Sequence, residues 1–227
     1  MIKLDKVSKT FGLGTSGLTD ITLTIEKGEF VFLVGHTGSG KTTLLRLLIH
    51  DVIATSGVII VGDFDVVKLP HKKIPHLRKK IGVVFQDLKL LMDRTIFENV
   101  ALPLEVAGVK VEEAKKQVED ILNQVGIAVQ RDKFPIQLSG GELQRAAIAR
   151  ALVFSPDILL ADEPTGNLDS VTGLGIVKLL KEINEKGTTV IMATHNIDVV
   201  NALQKRVIAL DKGKIIRDQK KGKYAAS

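Results

Sequence analysis

No cysteine occurs in the 227 residues. That excludes disulfides and cysteine-based zinc sites, and a chain without thiols suits a reducing cytosol. Tryptophan is also absent, and tyrosine occurs once. Binders of single-stranded nucleic acid stack bases on aromatic side chains, so nucleic acid is not an expected partner. No apolar run approaches the roughly 20 residues that a membrane helix needs. Residues 1–5 lack the apolar core of a signal peptide. The chain is therefore expected to be soluble and to meet a membrane only through a partner.

What is present is enough for a folded core. Apolar residues make up 44% of the chain, well above the range of disordered sequences. The length fits one domain, residues 1–227, with room for a subdomain. The formal net charge is +6. Much of the excess lies in residues 212–227, where Lys212, Lys214, Arg217, Lys220, Lys221 and Lys223 face only Asp218. This stretch reads either as a solvated, partly disordered tail or as a basic segment drawn to anionic lipid or an acidic partner.

Pattern along the chain points to an α/β fold. Residues 1–7, 19–25, 58–61 and 81–85 are short, β-branched and apolar, and they are separated by turn signals at Gly28 and Gly62. The first three predict a small antiparallel β region near the N-terminus, and residues 81–85 a further short strand. Residues 111–125 carry apolar side chains at spacings of three and four, which predicts an amphipathic helix ended by Gly126. Residues 158–161 and 189–193 are continuous apolar runs, with a helical stretch over about 173–184 between them. Such runs mark parallel strands buried on both faces. The expectation is a mainly parallel core sheet, with a helical insert over about residues 87–155.

The strongest motif is the octet Gly35-His36-Thr37-Gly38-Ser39-Gly40-Lys41-Thr42. It fits the phosphate-binding P-loop pattern and stands between an apolar strand and a helix. Its glycines let the backbone turn several N–H groups inward, and the helix that follows adds its positive end. Lys41 supplies charge for the phosphates, and the Thr42 hydroxyl suits Mg²⁺. Thr43 continues the phosphate-binding segment. Asp162 and Glu163 end the apolar run at 158–161. Acidic groups at the end of a buried strand need a cation or water to meet them. Asp162 is therefore a candidate metal ligand, and Glu163, pointing the other way along the pleat, a candidate general base. His195 and Gln86 occupy the same kind of place after their own strands, at the edge where α/β proteins bind ligands.

Ser139-Gly140-Gly141-Glu142 reads locally as a capping box, and its glycines leave helix amides open to an anion. The segment Leu138–Glu142 also resembles the signature of ABC ATPases. Asp162-Glu163-Pro164-Thr165 resembles the end of their second acidic motif, and Asn167-Leu168-Asp169 their D-loop. Gln86 and His195 resemble their Q-loop and H-loop residues. The resemblance covers nearly the whole chain. It implies ATP and Mg²⁺ as ligands, with Thr42, Gln86 and Asp162 at the metal and Glu163, His195, Gln86 and Lys41 in hydrolysis. It also implies an ATP-dependent head-to-tail homodimer, in which Ser139, Gly140, Gly141, Glu142 and Asp169 meet the nucleotide of the opposite subunit.

Two positions depart from the pattern. Phe11 stands where many relatives stack a tyrosine on adenine, and it reads equally as a core strand residue. Leu143 stands where relatives often carry glutamine. Residues 85–104, residues 134–139 and His36 narrow the resemblance to the cell-division branch of the family. That branch implies a membrane-protein partner at the cytoplasmic face of the inner membrane, with the stretch from Leu88 to Pro103 facing it. The same motifs serve transporters and lipoprotein-release complexes. They also serve soluble DNA-repair ATPases, but those need a long coiled coil between P-loop and signature, and residues 42–138 are too few for one.

Overall fold

A computed structural model describes residues 1–12 and 16–222. It contains two sheets. The first is four-stranded and antiparallel, in the order β2-β1-β4-β5, from β1 (Ile2–Thr10), β2 (Ser16–Ile25), β4 (Ser56–Val61) and β5 (Phe64–Asp65). The second has six strands in the order β10-β9-β3-β8-β7-β6. Its members are β3 (Phe30–Val34), β6 (Ile81–Val84), β7 (Ile158–Asp162), β8 (Thr189–Thr194), β9 (Arg206–Asp211) and β10 (Lys214–Gln219). All run parallel except β10, which turns back along β9.

The three central strands are buried along their whole length. Their side chains alternate between two cores. Phe30, Phe32 and Val34 enter one together with α3 (Ile96–Val106), α4 (Val111–Gln124), α5 (Gly140–Leu152) and α6 (Ser170–Glu185). Val31 and Leu33 enter the other, with α1 (Lys41–Leu48), α2 (Ile74–Lys79) and the antiparallel sheet. Fully burying an aliphatic or phenyl side chain contributes about 1.5–3 kcal/mol, so these strands anchor the molecule and fix the level at which each one ends.

That level matters. Leu33, Ala193 and Asp162 stand in one row across β3, β8 and β7. Val84 pairs with Ala161, and Val34 with Ala209. The residues that follow therefore emerge along one edge of the sheet: the P-loop after β3, Gln86 after β6, Glu163 after β7, His195 after β8 and Asp211 at the end of β9. The helical stretches lie where their periodicity predicts, and Gly126, with φ of +76°, follows α4 in the conformation of a helix-ending glycine.

The structure corrects three expectations. Residues 212–222 are not a loose tail: Lys214–Gln219 is an edge strand, and Asp218 holds Arg206 through two hydrogen bonds of 2.9 and 2.7 Å. The remainder of the expected tail, from Lys223 onward, lies outside the described residues. Phe11 is not a core strand residue, since it follows β1 and is 36% exposed. Glu163 does not continue the pleat. The strand stops at Asp162, and Glu163 turns into the left-handed region with φ of +47°. Among the described residues, no helix is long and apolar enough to cross a membrane.

Candidate active site

The P-loop wraps the start of α1. Gly35, Gly38 and Gly40 have φ of +149°, +80° and +108°, which only glycine adopts without strain. Gly35 is also forced by space: a Cβ there would lie 2.3 Å from the Leu210 carbonyl oxygen. At Gly38 a Cβ would meet nothing within 4 Å, so the loop is open on that side. Lys41 is buried, and its Nζ donates to the Gly35 and His36 carbonyls at 2.7 and 3.2 Å. The ammonium is thus held inside the curl of the loop. Ser39 is fully buried, with Oγ lacking a hydrogen-bond partner.

Thr42 Oγ1 donates to Asp162 Oδ2 at 2.8 Å. Burial pushes the Asp162 carboxyl up from its ordinary value, with Glu163 adding to the effect, while the Thr42 bond and Lys41 oppose it. A hydroxyl and a desolvated carboxylate side by side form a hard-oxygen pair of the kind Mg²⁺ takes from a protein, leaving its other positions for water and phosphate. The donor chemistry fits that ion. Among the described residues, no cluster of three or more His, Asp or Glu side chains forms an all-protein cage.

Glu163 lies next to this pair. Its Oε1 accepts from His195 Nδ1 at 2.9 Å and stands 4.0 Å from Lys41 Nζ. Its amide donates to the Ala193 carbonyl at 2.9 Å, tying the turn to β8. A carboxylate only accepts, so Nδ1 carries the proton of the His195 ring. The Glu163 carboxylate is 11% exposed, whereas the His195 side chain is 68% exposed. An oriented carboxylate with a sheltered, cation-flanked face suits proton abstraction from water.

Gln86 sits exposed in the turn after β6, on the same edge. Phe11 lies at the border of the loop: a Cβ on Gly17 would be 2.6 Å from its ring and 3.2 Å from Thr43 Cγ2. The Phe11 ring therefore packs beside the P-loop helix, with Lys9 Nζ 5.1 Å from its centroid. Ser139 caps α5. Its hydroxyl and amide both donate to Glu142, at 2.7 and 2.8 Å, and these bonds hold the Glu142 carboxyl below its ordinary value. Asp169 caps α6 by accepting from Thr172 and Val171, and its carboxyl is lowered for the same reason. Gly141 brings the two helix starts together, since a Cβ there would lie 2.5 Å from Thr172 Cγ2. Of the two glycines after Ser139, Gly140 is exposed and Gly141 half-buried. The structure groups the P-loop, Asp162, Glu163 and His195. It sets the Ser139–Asp169 face apart as a second surface.

Two residues that motif reading passes over belong to this architecture. Asp211 binds His36 Nε2 at 2.7 Å. Arg150 of α5 donates to the carbonyls of Leu88 and Lys89 at 2.5 and 2.6 Å, in the loop that carries Gln86. Asp211 lies 175 residues from His36 and Arg150 about 60 from its acceptors, so no local pattern announces either contact.

A P-loop on a parallel sheet, with an acidic strand end and a histidine beside it, defines a nucleotide-hydrolysing protein of the P-loop class. The comparisons narrow that class. The family model for ABC transporter proteins matches residues 18–166, and the chain belongs to this family. It is 47% identical over 226 residues to the cell division ATP-binding protein FtsE of Bacillus subtilis, covering 100% of this chain and 99% of that one. It is 47% identical over 225 residues to the protein of the same name from Mycobacterium tuberculosis, covering 99% and 98%. Among solved structures, the ATP-binding cassette MJ0796, dimeric and bound to ADP and Pi, superposes with a TM-score of 0.88 at 38% identity, covering 99% of this chain and all of that one. The protein is an ABC ATPase.

Proposed function

We propose that this ATPase is the energy-coupling subunit of a bacterial cell-division complex. In this reading it binds ATP with Mg²⁺, dimerises head to tail, and passes the conformational change to the membrane protein FtsX, which regulates peptidoglycan hydrolysis outside the cell. The observation that carries the reading is full-length similarity, at 44–47% identity, to proteins named for cell division in several bacteria. The whole chain acts as one ATP-binding unit, with residues 87–155 as its helical part. It is peripheral on the cytoplasmic side of the membrane, held there by its partner.

Within the site, the roles follow from chemistry. Loop amides and Lys41 bind phosphate. Thr42 and Asp162 hold Mg²⁺, with Gln86 as a further oxygen ligand, and the ion supplies neutralising charge on the phosphates. Glu163 takes a proton from the attacking water, and His195 orients Glu163 through Nδ1. Phe11 covers the adenine face. Ser139, Gly140, Gly141 and Asp169 complete the site of the opposite subunit, with Glu142 fixing the turn. The partner surface is the groove of about 760 Å³ between the sheet edge and α3, lined by Phe85, Lys89, Pro103, Val106, Arg150 and Phe154. Leu91 and Met92 are exposed on the loop leading into α3. Arg94 in that loop pairs with Glu98 at 3.8 Å.

Two measurements test the proposal. Glu163→Gln is expected to keep ATP affinity within about twofold and to lower turnover by at least a hundredfold, within the range for loss of a general base. Turnover at the wild-type rate removes Glu163 from that role. Affinity purification from membranes of the native host is expected to recover FtsX. Recovery of a lipoprotein-releasing permease in its place would assign the chain to a transporter complex.

A further inference from the structure

His36 is held on both ring nitrogens. Nδ1 lies 2.7 Å from the Thr37 carbonyl oxygen and Nε2 lies 2.7 Å from Asp211 Oδ1. A carbonyl and a carboxylate are both acceptors, so satisfying the two contacts needs a proton on each nitrogen. The geometry therefore selects the imidazolium. The site is built into the fold. Asp211 ends β9, and the next turn packs on the P-loop: the Gly213 amide donates to the Ser39 carbonyl at 3.0 Å, and the Thr19 amide donates to the Gly213 carbonyl at 2.8 Å. Gly35, next to His36, approaches the Leu210 carbonyl so closely that only glycine fits.

We infer that Asp211 is a positioning residue for nucleotide binding. It acts through His36, holding the ring as a cation that ties the outer turn of the P-loop to the β9–β10 hairpin, so that ATP affinity depends on the protonation of this pair. The inference rests on the P-loop being the ATP site. A pinned loop carries less ordering cost when a ligand arrives, and the added positive charge favours a polyanion.

The charges around His36 are few. Asp211 favours protonation, and Lys41 of α1, itself beside Glu163, opposes it. Lys212 and Lys214 of the hairpin are exposed, and the β2 residues Gly17, Leu18 and Thr19, which lie against the loop and hairpin, carry no charge. The Thr37 carbonyl foremost, and Asp211 next, raise the His36 pKa above its ordinary value of 6.5. The sign follows from linkage. A group raised in the folded state contributes fully below its unfolded pKa and loses that contribution as pH rises through the folded one. The tie is complete below the ordinary histidine value and fades as pH rises through the raised one.

ATP affinity is to be measured with Mg²⁺ from pH 6 to 8.5 for the wild type, Asp211→Asn and His36→Gln, with turnover at saturating ATP in parallel. ATP titrates in this range itself, so the informative quantity is the ratio of wild type to variant. The wild type is expected to bind about threefold more tightly than either variant at pH 6, the scale of an exposed charge pair. The ratio should fall towards one as pH rises through the raised His36 pKa, with saturated turnover of Asp211→Asn within twofold throughout. The His36 ring, followed by NMR, is expected to titrate at lower pH in Asp211→Asn. Parallel affinity profiles, or an unmoved His36 titration, would overturn the inference. Lys41→Ala serves as a separate control: if it binds ATP normally, the nucleotide-site reading falls and takes the inference with it.

Discussion

Gly40 sits where three constraints meet. Its φ is +108°, a Cβ there would lie 2.7 Å from the Gly17 carbonyl oxygen and 2.8 Å from Leu18 Cδ2, and its own carbonyl accepts from Leu44 at 3.0 Å to start α1. Gly38, two residues earlier, shares the positive φ but faces open space. The two glycines therefore separate backbone strain from crowding. Gly40→Ala is expected to cost about 2–3 kcal/mol, because strain and collision add, and Gly38→Ala about 1 kcal/mol from strain alone. Urea unfolding of both variants measures the difference, and equal costs would mean that the contact with β2 carries no energy. The octet that contains both glycines is legible in the sequence because a phosphate cradle is made by consecutive amides. Asp211 is not legible: an aspartate at the end of an apolar run is common, and only the row of strand ends brings it to His36.

Elements show the same division. The helix over 111–124 and the strands of the central sheet follow from periodicity, because each buries one face or both. The edge strand β10 was hidden by its charge. Lys214 and Arg217 look like a solvated tail, yet charged side chains are what blunt the open edge of a sheet against pairing with another chain. The loop after β6 was hidden for a different reason. Leu88 and Lys89 are consecutive non-glycine residues with φ of +55° and +52°, a pairing that costs about 1–2 kcal/mol per residue and that no sequence rule anticipates. Arg150 compensates by donating to both their carbonyls, and Asn99, fully buried, donates to the carbonyls of Leu91, Arg94 and Thr95. The loop bearing Gln86 is thus fastened to α5 on one side and α3 on the other. Arg150→Met keeps the apolar stem and removes the donors. It is expected to lower stability by about 1–3 kcal/mol and to speed hydrogen exchange in residues 86–91 more than in α5. A uniform rise in exchange would show that Arg150 supports the helix and not the loop.

At the scale of the molecule, the sheet edge collects the P-loop, Asp162, Glu163 and His195, and the starts of α5 and α6 form a second face. The second face carries its own signal. Val171 and Ile136 are 79% and 83% exposed and Leu174 is 42% exposed, close in sequence to the caps Ser139 and Asp169. Isolated exposed apolar residues are ordinary. Three of them beside two helix N-termini that already lie in contact fit a face that is covered when ATP joins two subunits. Glu163→Gln supplies the background for a test, because a site that binds ATP without cleaving it should hold the pair together. With Mg²⁺ and ATP this variant is expected to sediment as a dimer. Adding Val171→Glu places a charge on the first turn of α6, on the side facing solvent, where it leaves the core of either helix untouched and is favoured by the helix dipole. The double variant should bind ATP as tightly as a monomer and fail to dimerise. A dimer that persists at the same ATP and protein concentrations would move the interface away from the α5–α6 face and leave the nucleotide half-site standing.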